Sequence, residues 1–241
     1  MRRRAALAVL AGGAVLVFGP AMLRRLRAPD LTTEPLPGLP GFRKRAGGNL
    51  SGGDPMLIGL DDAAPATPDE VCAHLFDGPL GADTVPIAYF SDARCVYCRV
   101  VSPMLQEIAE TEPVRITWHE LPLLGPASRR AAEASIAARR QGAYAMFHDR
   151  LMGTPFMPND AYLRQLAGDA GIDWDRLLRD MGGGAVADTL TRSARIARAF
   201  GFFGTPALVV GRTAILGAVE TWQLRRLIAA ERAATDPHPC A

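Results

Sequence analysis

The 241-residue sequence predicts an α/β fold that is interrupted by an all-helical lobe. An apolar strand pattern at 85–90 leads directly into a Cys-x-x-Cys pair, and a helical pattern follows that pair. Residues 127–200 then have helical spacing and almost no strand signal. Behind this block come two short β-rich runs and a last helical pattern. Strand signals on both sides of a helical block are typical of one α/β core that carries an insertion.

The composition is that of an ordinary globular protein. Hydrophobic residues make up 49% of the chain and charged residues 22%, which suits a sizeable core and excludes a disordered chain. Six of the 27 basic residues lie within residues 1–27, which contain no acid. The remaining 21 basic and 25 acidic residues give the body a formal charge of −4. The body therefore gives no reason to expect binding to nucleic acid.

The N-terminal segment has the pattern of an export signal. Residues 5–23 form a charge-free stretch of 19 residues with arginines on both sides, near the shortest length that spans a membrane. Gly19-Pro20-Ala21 is a poor cleavage site. We therefore expect residues 1–27 to act as a signal peptide or signal anchor, with late or no cleavage favoured. The body would then be periplasmic or otherwise extracytoplasmic, and residues 5–23 could anchor it to the cytoplasmic membrane.

Residues 28–66 are rich in Pro, Gly and Asp and show no periodicity, so we expect a linker arm. The folded body behind it divides into three parts. They are a first part of the α/β fold with the CxxC pair at 67–126, the helical insertion at 127–200, and the second part of the fold at 201–241.

The strands and helices of the body follow from their local patterns. Apolar or alternating runs predict four strands, of which the last two form a hairpin around Gly211-Arg212. Helical spacing predicts a helix after the CxxC pair, with Pro103 inside it, and a last helix at the C-terminus. The predicted strands are 85–90, 114–118, 207–210 and 213–216, and the two helices are 99–111 and 220–234.

Cys95 and Cys98 have the arrangement of a redox pair. Cys95 follows a strand and Cys98 opens a helix, whose N–H groups and dipole favour a thiolate. We expect Cys95 to be the exposed nucleophile and Cys98 the buried resolving thiol. A zinc site would need two more ligands at matching spacing, and the sequence has no second CxxC and only scattered histidines. We therefore expect no metal and no organic cofactor.

Several motifs in order resemble the DsbA-like branch of the thioredoxin superfamily, over roughly residues 85–230. They are FSDARCVYCR at 90–99, Pro103, HELPLLG at 119–125, AAEASIAARRQGAYAMFHDRL at 131–151 and FGFFGTPALVVG at 200–211. The resemblance implies a thioredoxin fold with an inserted all-helical lobe and a protein thiol–disulfide oxidoreductase. It also implies that Pro206 is cis and that Thr205, Pro206, Val96 and Tyr97 bind the substrate chain.

The sequence departs from the strongest oxidants of that family at the active site. Tyr97 stands where a histidine usually helps to stabilise the thiolate, and Val96 stands where proline is common. The strand before the pair offers Ala88 and Tyr89 where those enzymes bury an acid. We therefore expect Cys95 to be activated, but less than in the strongest oxidants. Asp92 and Glu120 are the nearest acids, either as proton relays or, as we favour, as solvated or turn residues.

Two further cysteines, Cys72 and Cys240, are candidates for a structural disulfide. An exported body makes such a bond plausible, and it would pin the C-terminus to the N-terminal arm. Two free thiols or an intermolecular bond are the alternatives, because the sequence does not supply the required geometry.

Three functions fit the sequence. The first is a disulfide donor to exported proteins that contain cysteines, recycled by a quinone-linked membrane oxidase. The second is a disulfide reductase or isomerase, favoured by Tyr97 and Thr205 and recycled by a membrane thiol shuttle. The third is a tethered binding or chaperone module that does not turn over.

Overall fold

The computed structural model describes residues 32–52, 64–79, 84–155, 157–236 and 238–241. Residues Thr33–Ala241 form one compact unit. The predicted signal segment, residues 1–27, lies outside the described residues. In the part of the chain that the structure describes, no helix combines the length and the apolar character needed to cross a bilayer.

The core of the unit is a mixed six-stranded sheet. Its strand order is β1-β2-β8-β7-β4-β5, in which the pairs β2–β8 and β4–β5 are parallel and the others antiparallel. A separate two-stranded antiparallel pair joins β3 to β6. The strands are β1 Glu34–Pro35, β2 Arg43–Ala46, β3 Ser51–Gly52, β4 Val85–Ser91, β5 Val114–Glu120, β6 Gly204–Thr205, β7 Ala207–Val210 and β8 Thr213–Leu216.

The strand that leads to the CxxC pair lies inside the sheet. Every residue of β4 is buried, because β5 and β7 pair with its two edges. A strand that is buried on both faces reads as a continuous apolar run and does not alternate. This burial explains why residues 85–90 have a strong apolar pattern in the sequence. The pairing of β4 also fixes where the chain leaves the sheet, just before the CxxC pair.

The structure describes eight helices. They are α1 Pro68–His74, α2 Cys98–Thr111, α3 Pro126–Arg139, α4 Tyr144–Gly153, α5 Asp160–Asp169, α6 Trp174–Met181, α7 Gly184–Ala199 and α8 Thr221–Arg232. Helices α3 to α7 lie between β5 and β6 in sequence and share an apolar core that includes Phe147, Leu163 and Leu177. The α/β class, the thioredoxin fold and its helical content are as the sequence predicted.

The N-terminal arm differs from the expected linker. Its described residues contribute β1, β2 and β3, and Leu36, Leu39 and Phe42 are buried in the core. The strand β2 lies parallel to β8, which is about 170 residues away in sequence, as in the pairing of Arg43 with Thr213. Strands of two to four residues are too short to show a period. Their pairing comes from partners that are remote in sequence, so local patterns could not reveal them.

The structure joins Cys72 of α1 to Cys240 by a disulfide, with the Cα atoms 5.0 Å apart. The bond connects two segments that are separated by 168 residues in the chain. Around it, Phe76 and Phe42 both make edge-on contacts with the ring of His238. The C-terminal residues therefore close over α1 and the arm.

Candidate active site

The redox pair lies at the point where β4 ends and α2 begins. Cys98 is the first residue of α2, and Cys95 lies in the turn that precedes it. The backbone N–H of Cys98 donates a hydrogen bond to the Cys95 Sγ at 3.2 Å. This N–H has no partner within the helix, so the sulfur caps the positive end of the helix dipole. The arrangement favours a thiolate at Cys95.

Both sulfurs are buried, which corrects the expectation that Cys95 is exposed. The relative exposure of each cysteine is 0%, and Met152 of α4 packs against the pair. The Cys95 Sγ lies 3.2 Å from the backbone oxygen of Thr205, across 110 residues of sequence. The loop before β7 and the helical lobe therefore both cover Cys95. Those contacts are made by remote residues, so the local strand–turn–helix pattern could not show them.

The two thiols have opposite shifts in pKa. The pKa of Cys95 is lowered to about 5, first by a hydrogen bond from the Cys98 thiol. The side chains of Thr205 and Ser51 and the N–H of Cys98 also lower this pKa, against the effect of burial. Burial, followed by the hydrogen bond and charge of Cys95, raises the pKa of Cys98 far above that of a free thiol. At neutral pH the pair is therefore one thiolate and one thiol.

We expect the thiolate absorbance of the reduced protein to titrate with a midpoint near pH 5. The thiolate is present above that pH and is lost as the pH falls through it, so at pH 7 thiolate exceeds thiol about 100-fold. Because the folded pKa lies below that of an unfolded cysteine, ionisation stabilises the reduced fold, and this stability is lost on acidification through pH 5. Cys95→Ser should remove the transition and Cys98→Ala should move it upward. A midpoint near pH 9 would contradict the assignment.

The predicted substrate residues surround the pair. The Thr205–Pro206 peptide bond is cis, and Thr205 lies in β6 against Cys95. Val96 is 61% exposed, and Tyr97 is half-buried beside it. A groove of about 430 Å³ borders Tyr97. The structure thus brings Thr205 and the CxxC segment together, with apolar side chains at the surface.

Asp92 holds the active-site loop in place. Its carboxylate is buried and accepts hydrogen bonds from the backbone N–H groups of Arg94 at 2.8 Å, Leu123 at 2.8 Å and Leu124 at 3.0 Å. It therefore links the turn before Cys95 to the loop after β5. Burial raises the pKa of Asp92 in spite of these bonds. Of the two roles considered for Asp92, the geometry favours the structural one.

Asp92→Ala should lower the free energy of unfolding by about 3 kcal/mol, because three part-buried N–H groups lose a buried carboxylate as acceptor. Denaturant unfolding of the oxidised protein measures this loss. Asp188→Ala, at an exposed position of α7, is the matched control and should change the stability by less than about 0.5 kcal/mol. Equal stabilities of the two variants would contradict the structural role.

A buried polar network behind Cys98 could not be foreseen from the sequence. The hydroxyl of Tyr89, at the strand position examined for an acid, donates to the Cys98 carbonyl at 3.4 Å. The Ser102 hydroxyl donates to the Tyr89 oxygen at 3.2 Å, and His148 Nε2 lies 3.1 Å from the Ser102 oxygen. The network links β4, α2 and α4, so it becomes visible only when these elements pack together.

The network ends at the second acid considered from the sequence. Glu120 Oε1 lies 3.5 Å from His148 Nδ1, and the side chains are each 2% exposed. The Tyr144 hydroxyl donates to the same Glu120 oxygen at 2.7 Å. Glu120 is thus buried and hydrogen-bonded, not a solvated surface acid. Within the described ranges, no three His, Cys, Asp or Glu side chains come together as a set of metal ligands.

The site combines three features: a thiolate at a helix start, a resolving thiol one turn further on, and a cis-proline loop beside them. Together they define a thiol–disulfide oxidoreductase with a thioredoxin fold. Residues 86–229, more than half of the chain, match the DSBA-like thioredoxin domain. The chain belongs to this family.

Three similar proteins illustrate the relationship. A thioredoxin-like oxidoreductase from Silicibacter pomeroyi DSS-3 is 35% identical, with a TM-score of 0.63, and the match covers 70% of this chain and 100% of that one. A periplasmic thioredoxin-like protein from Salmonella enterica serovar Typhimurium is 26% identical, with a TM-score of 0.57 and coverages of 68% and 97%. The Na(+)/H(+) antiporter NhaA 3 of Salinispora tropica is 29% identical over 154 residues. The matched region is 63% of this chain but only 23% of the antiporter.

Proposed function

We propose that the protein donates disulfides to exported proteins through Cys95 and Cys98. The observation that carries the proposal is the position of the Cys95 sulfur at the start of α2, 3.2 Å from the backbone nitrogen of Cys98. The Cys98 thiol and this N–H help to lower the pKa of Cys95 to about 5. A stabilised thiolate favours the reduced form of the enzyme, and therefore makes its disulfide a better oxidant. Reported thiolate pKa values of about 3.5 for a strong donor and about 7 for thioredoxin bracket this value.

The proposed exchange has two steps. A client thiolate attacks the Cys95 sulfur of the oxidised enzyme, so that a client–Cys95 bond forms, the Cys95–Cys98 bond breaks and Cys98 takes up a proton. A second client thiolate then attacks the client sulfur, which forms the client disulfide and releases Cys95 as its stable thiolate. The high pKa of Cys98 suits the proton uptake, and the low pKa of Cys95 suits its role as leaving group.

The location and partners are part of the proposal. The similar protein from Salmonella is periplasmic, and the Cys72–Cys240 bond suits an oxidising compartment. The charge-free segment 5–23 would direct export or anchor the chain. A donor needs a membrane oxidase to accept two electrons from the reduced pair after each turnover. We also propose that residues 1–27 are the signal segment and that the fold consists of a first part at 67–126, a helical insertion at 127–200 and a second part at 201–241.

The reduction potential of the Cys95–Cys98 pair tests the donor role. After equilibration of the full chain in glutathione buffers, we expect a value between the roughly −270 mV of thioredoxin and the roughly −120 mV of the strongest oxidants, nearer the oxidising end, because the activation of Cys95 is intermediate. Tyr97→His is a useful companion variant, because an imidazolium beside the thiolate should raise the potential further. A wild-type value near that of thioredoxin would replace the donor by the reductase or isomerase.

A further inference from the structure

A short segment of the N-terminal arm lies across the active site. Strand β3 pairs antiparallel with β6, with Ser51 opposite Thr205 and Gly52 opposite Gly204. Two backbone hydrogen bonds hold the residues before β3 against the segment that follows β8. The N–H of Gly48 donates to the Ala218 oxygen at 2.9 Å, and the N–H of Ala218 donates to the Asn49 oxygen at 2.8 Å.

This segment places a serine beside the nucleophile. Ser51 lies opposite Thr205, the residue whose backbone oxygen is 3.2 Å from the Cys95 Sγ. The Ser51 side chain is also near enough to the Cys95 sulfur to lower the pKa of Cys95. A serine hydroxyl and a cysteine thiol occupy the same position on their side chains. A chain with cysteine in place of Ser51 would therefore bring its sulfur to Cys95.

The residue before Ser51 fits a notch in β6. A Cβ atom added to Gly204 would lie 2.5 Å from Leu50 Cδ1 and 2.9 Å from the backbone oxygen of Ser51. Only glycine at this position leaves room for both atoms. Leu50 and Ser51 point to opposite sides of the extended segment, as alternate residues of a strand do. The edge of β6 thus receives an aliphatic side chain and a small polar one in a fixed register.

We propose that residues 49–52 occupy the site of a client chain, and that clients bind β6 in the same register with an aliphatic residue directly before the reacting cysteine. This inference rests on the proposed exchange activity and specifies its substrates. A client would add to the edge of β6 through its backbone, the general mode of strand addition, after β3 has left. Because Cys95 is fully buried, such displacement also explains how a client reaches it.

The reaction at this site is the first step of the exchange. The client cysteine, at the position of Ser51, attacks the Cys95 sulfur as a thiolate. The client–Cys95 bond forms, the Cys95–Cys98 bond breaks, and the Cys98 sulfur takes a proton from solvent.

A cross-link tests the register. Ser51→Cys with Cys98→Ala, treated with oxidised glutathione, should form an internal disulfide to Cys95 by displacing glutathione from whichever cysteine it first modified. Gly52→Cys with Cys98→Ala is the matched control, because a Cβ at Gly52 meets its neighbours only at ordinary contact distances of 3.5 and 3.6 Å. Peptide mass spectrometry without reduction should find the link at least about tenfold more often for Ser51→Cys. Equal linkage, or no linkage, would overturn the register.

Two peptides test the client class. Reduced Asn-Leu-Cys-Gly should react with the oxidised full chain about fivefold faster than Asn-Ser-Cys-Gly, and Gly204→Ala should remove this difference by filling the notch. Leu50→Ser should also speed alkylation of Cys95 in the reduced chain about tenfold, because β3 is held less tightly. Equal peptide rates, or unchanged alkylation, would overturn the proposal. These outcomes are independent of the reduction potential, so a failed register and a failed donor role can be distinguished.

Discussion

Cys95→Ser should lower the rate of disulfide transfer to a reduced client protein by at least about 1000-fold. The sulfur of Cys95 is the one whose thiolate is stabilised at the start of α2, and serine supplies neither a thiolate nor a disulfide. The measurement is the rate at which the oxidised enzyme restores activity to a reduced client that requires its disulfides. A residual rate within tenfold of wild type would contradict the role of Cys95 as nucleophile.

Cys98→Ser is the matched variant, because it should lose turnover to a similar extent but for a different reason. It retains Cys95, so after treatment with oxidised glutathione a client thiolate can displace glutathione from Cys95 and form a client–Cys95 mixed disulfide. Gel electrophoresis without reduction can detect this species, which should accumulate. Cys95→Ser should show none. A double variant, Cys95→Ser with Cys98→Ser, distinguishes an enzyme from a binding module that does not turn over. Full function of Cys95→Ser with Cys98→Ser in cells would favour the module, whereas complete loss is the result expected of an oxidoreductase.

Removing the bond between Cys72 and Cys240 should lower the free energy of unfolding by about 4 kcal/mol. The bond closes a loop in which its two cysteines are 168 residues apart, so its absence frees a long stretch of the unfolded chain. It also fixes the C-terminal residues over α1 and the arm. Denaturant unfolding of Cys72→Ser with Cys240→Ser, compared with wild type in the same redox state of the active site, measures the change.

The single variant Cys240→Ser provides the control for that prediction. It also breaks the cross-link but keeps the Cys72 thiol, so its loss of stability should equal that of the double variant within about 0.5 kcal/mol. A double variant that loses less than about 1 kcal/mol would show that the bond contributes little to the fold. The active-site pair should remain reducible in both variants, because the two disulfides share no residue.

The local patterns of the sequence determined most of the central elements. The β7 and β8 strands, at Ala207–Val210 and Thr213–Leu216, have the predicted bounds, and α2 begins one residue before its predicted start. These elements combine a strong apolar pattern with clear end signals, namely Gly211 in the hairpin and the CxxC turn before α2. Such signals are carried by neighbouring residues, so they are present before the chain folds.

The chemistry of the pair was also readable from the sequence, because it depends on spacing. Two cysteines separated by two residues at a helix start bring their sulfurs together in almost any surroundings. The downward shift in the pKa of Cys95 follows first from its local contact with Cys98, whereas the upward shift of Cys98 comes first from burial. The degree of activation does not follow from local contacts alone, since Thr205 and Ser51 also lower the pKa of Cys95 and both are remote in sequence.

Tertiary structure alone decided how the site is enclosed. The burial of Cys95, the pairing of Ser51 with Thr205 and the contact of Ser102 with His148 join residues that are 46 or more positions apart. A two-residue strand such as β3 has no period to detect, and a buried histidine looks like any other in the sequence. These contacts form only when the sheet and the helical lobe have packed together, because the residues that make them are remote in sequence. The sequence by itself therefore determined which two cysteines form the candidate redox pair, whereas packing decided how their sulfurs are enclosed.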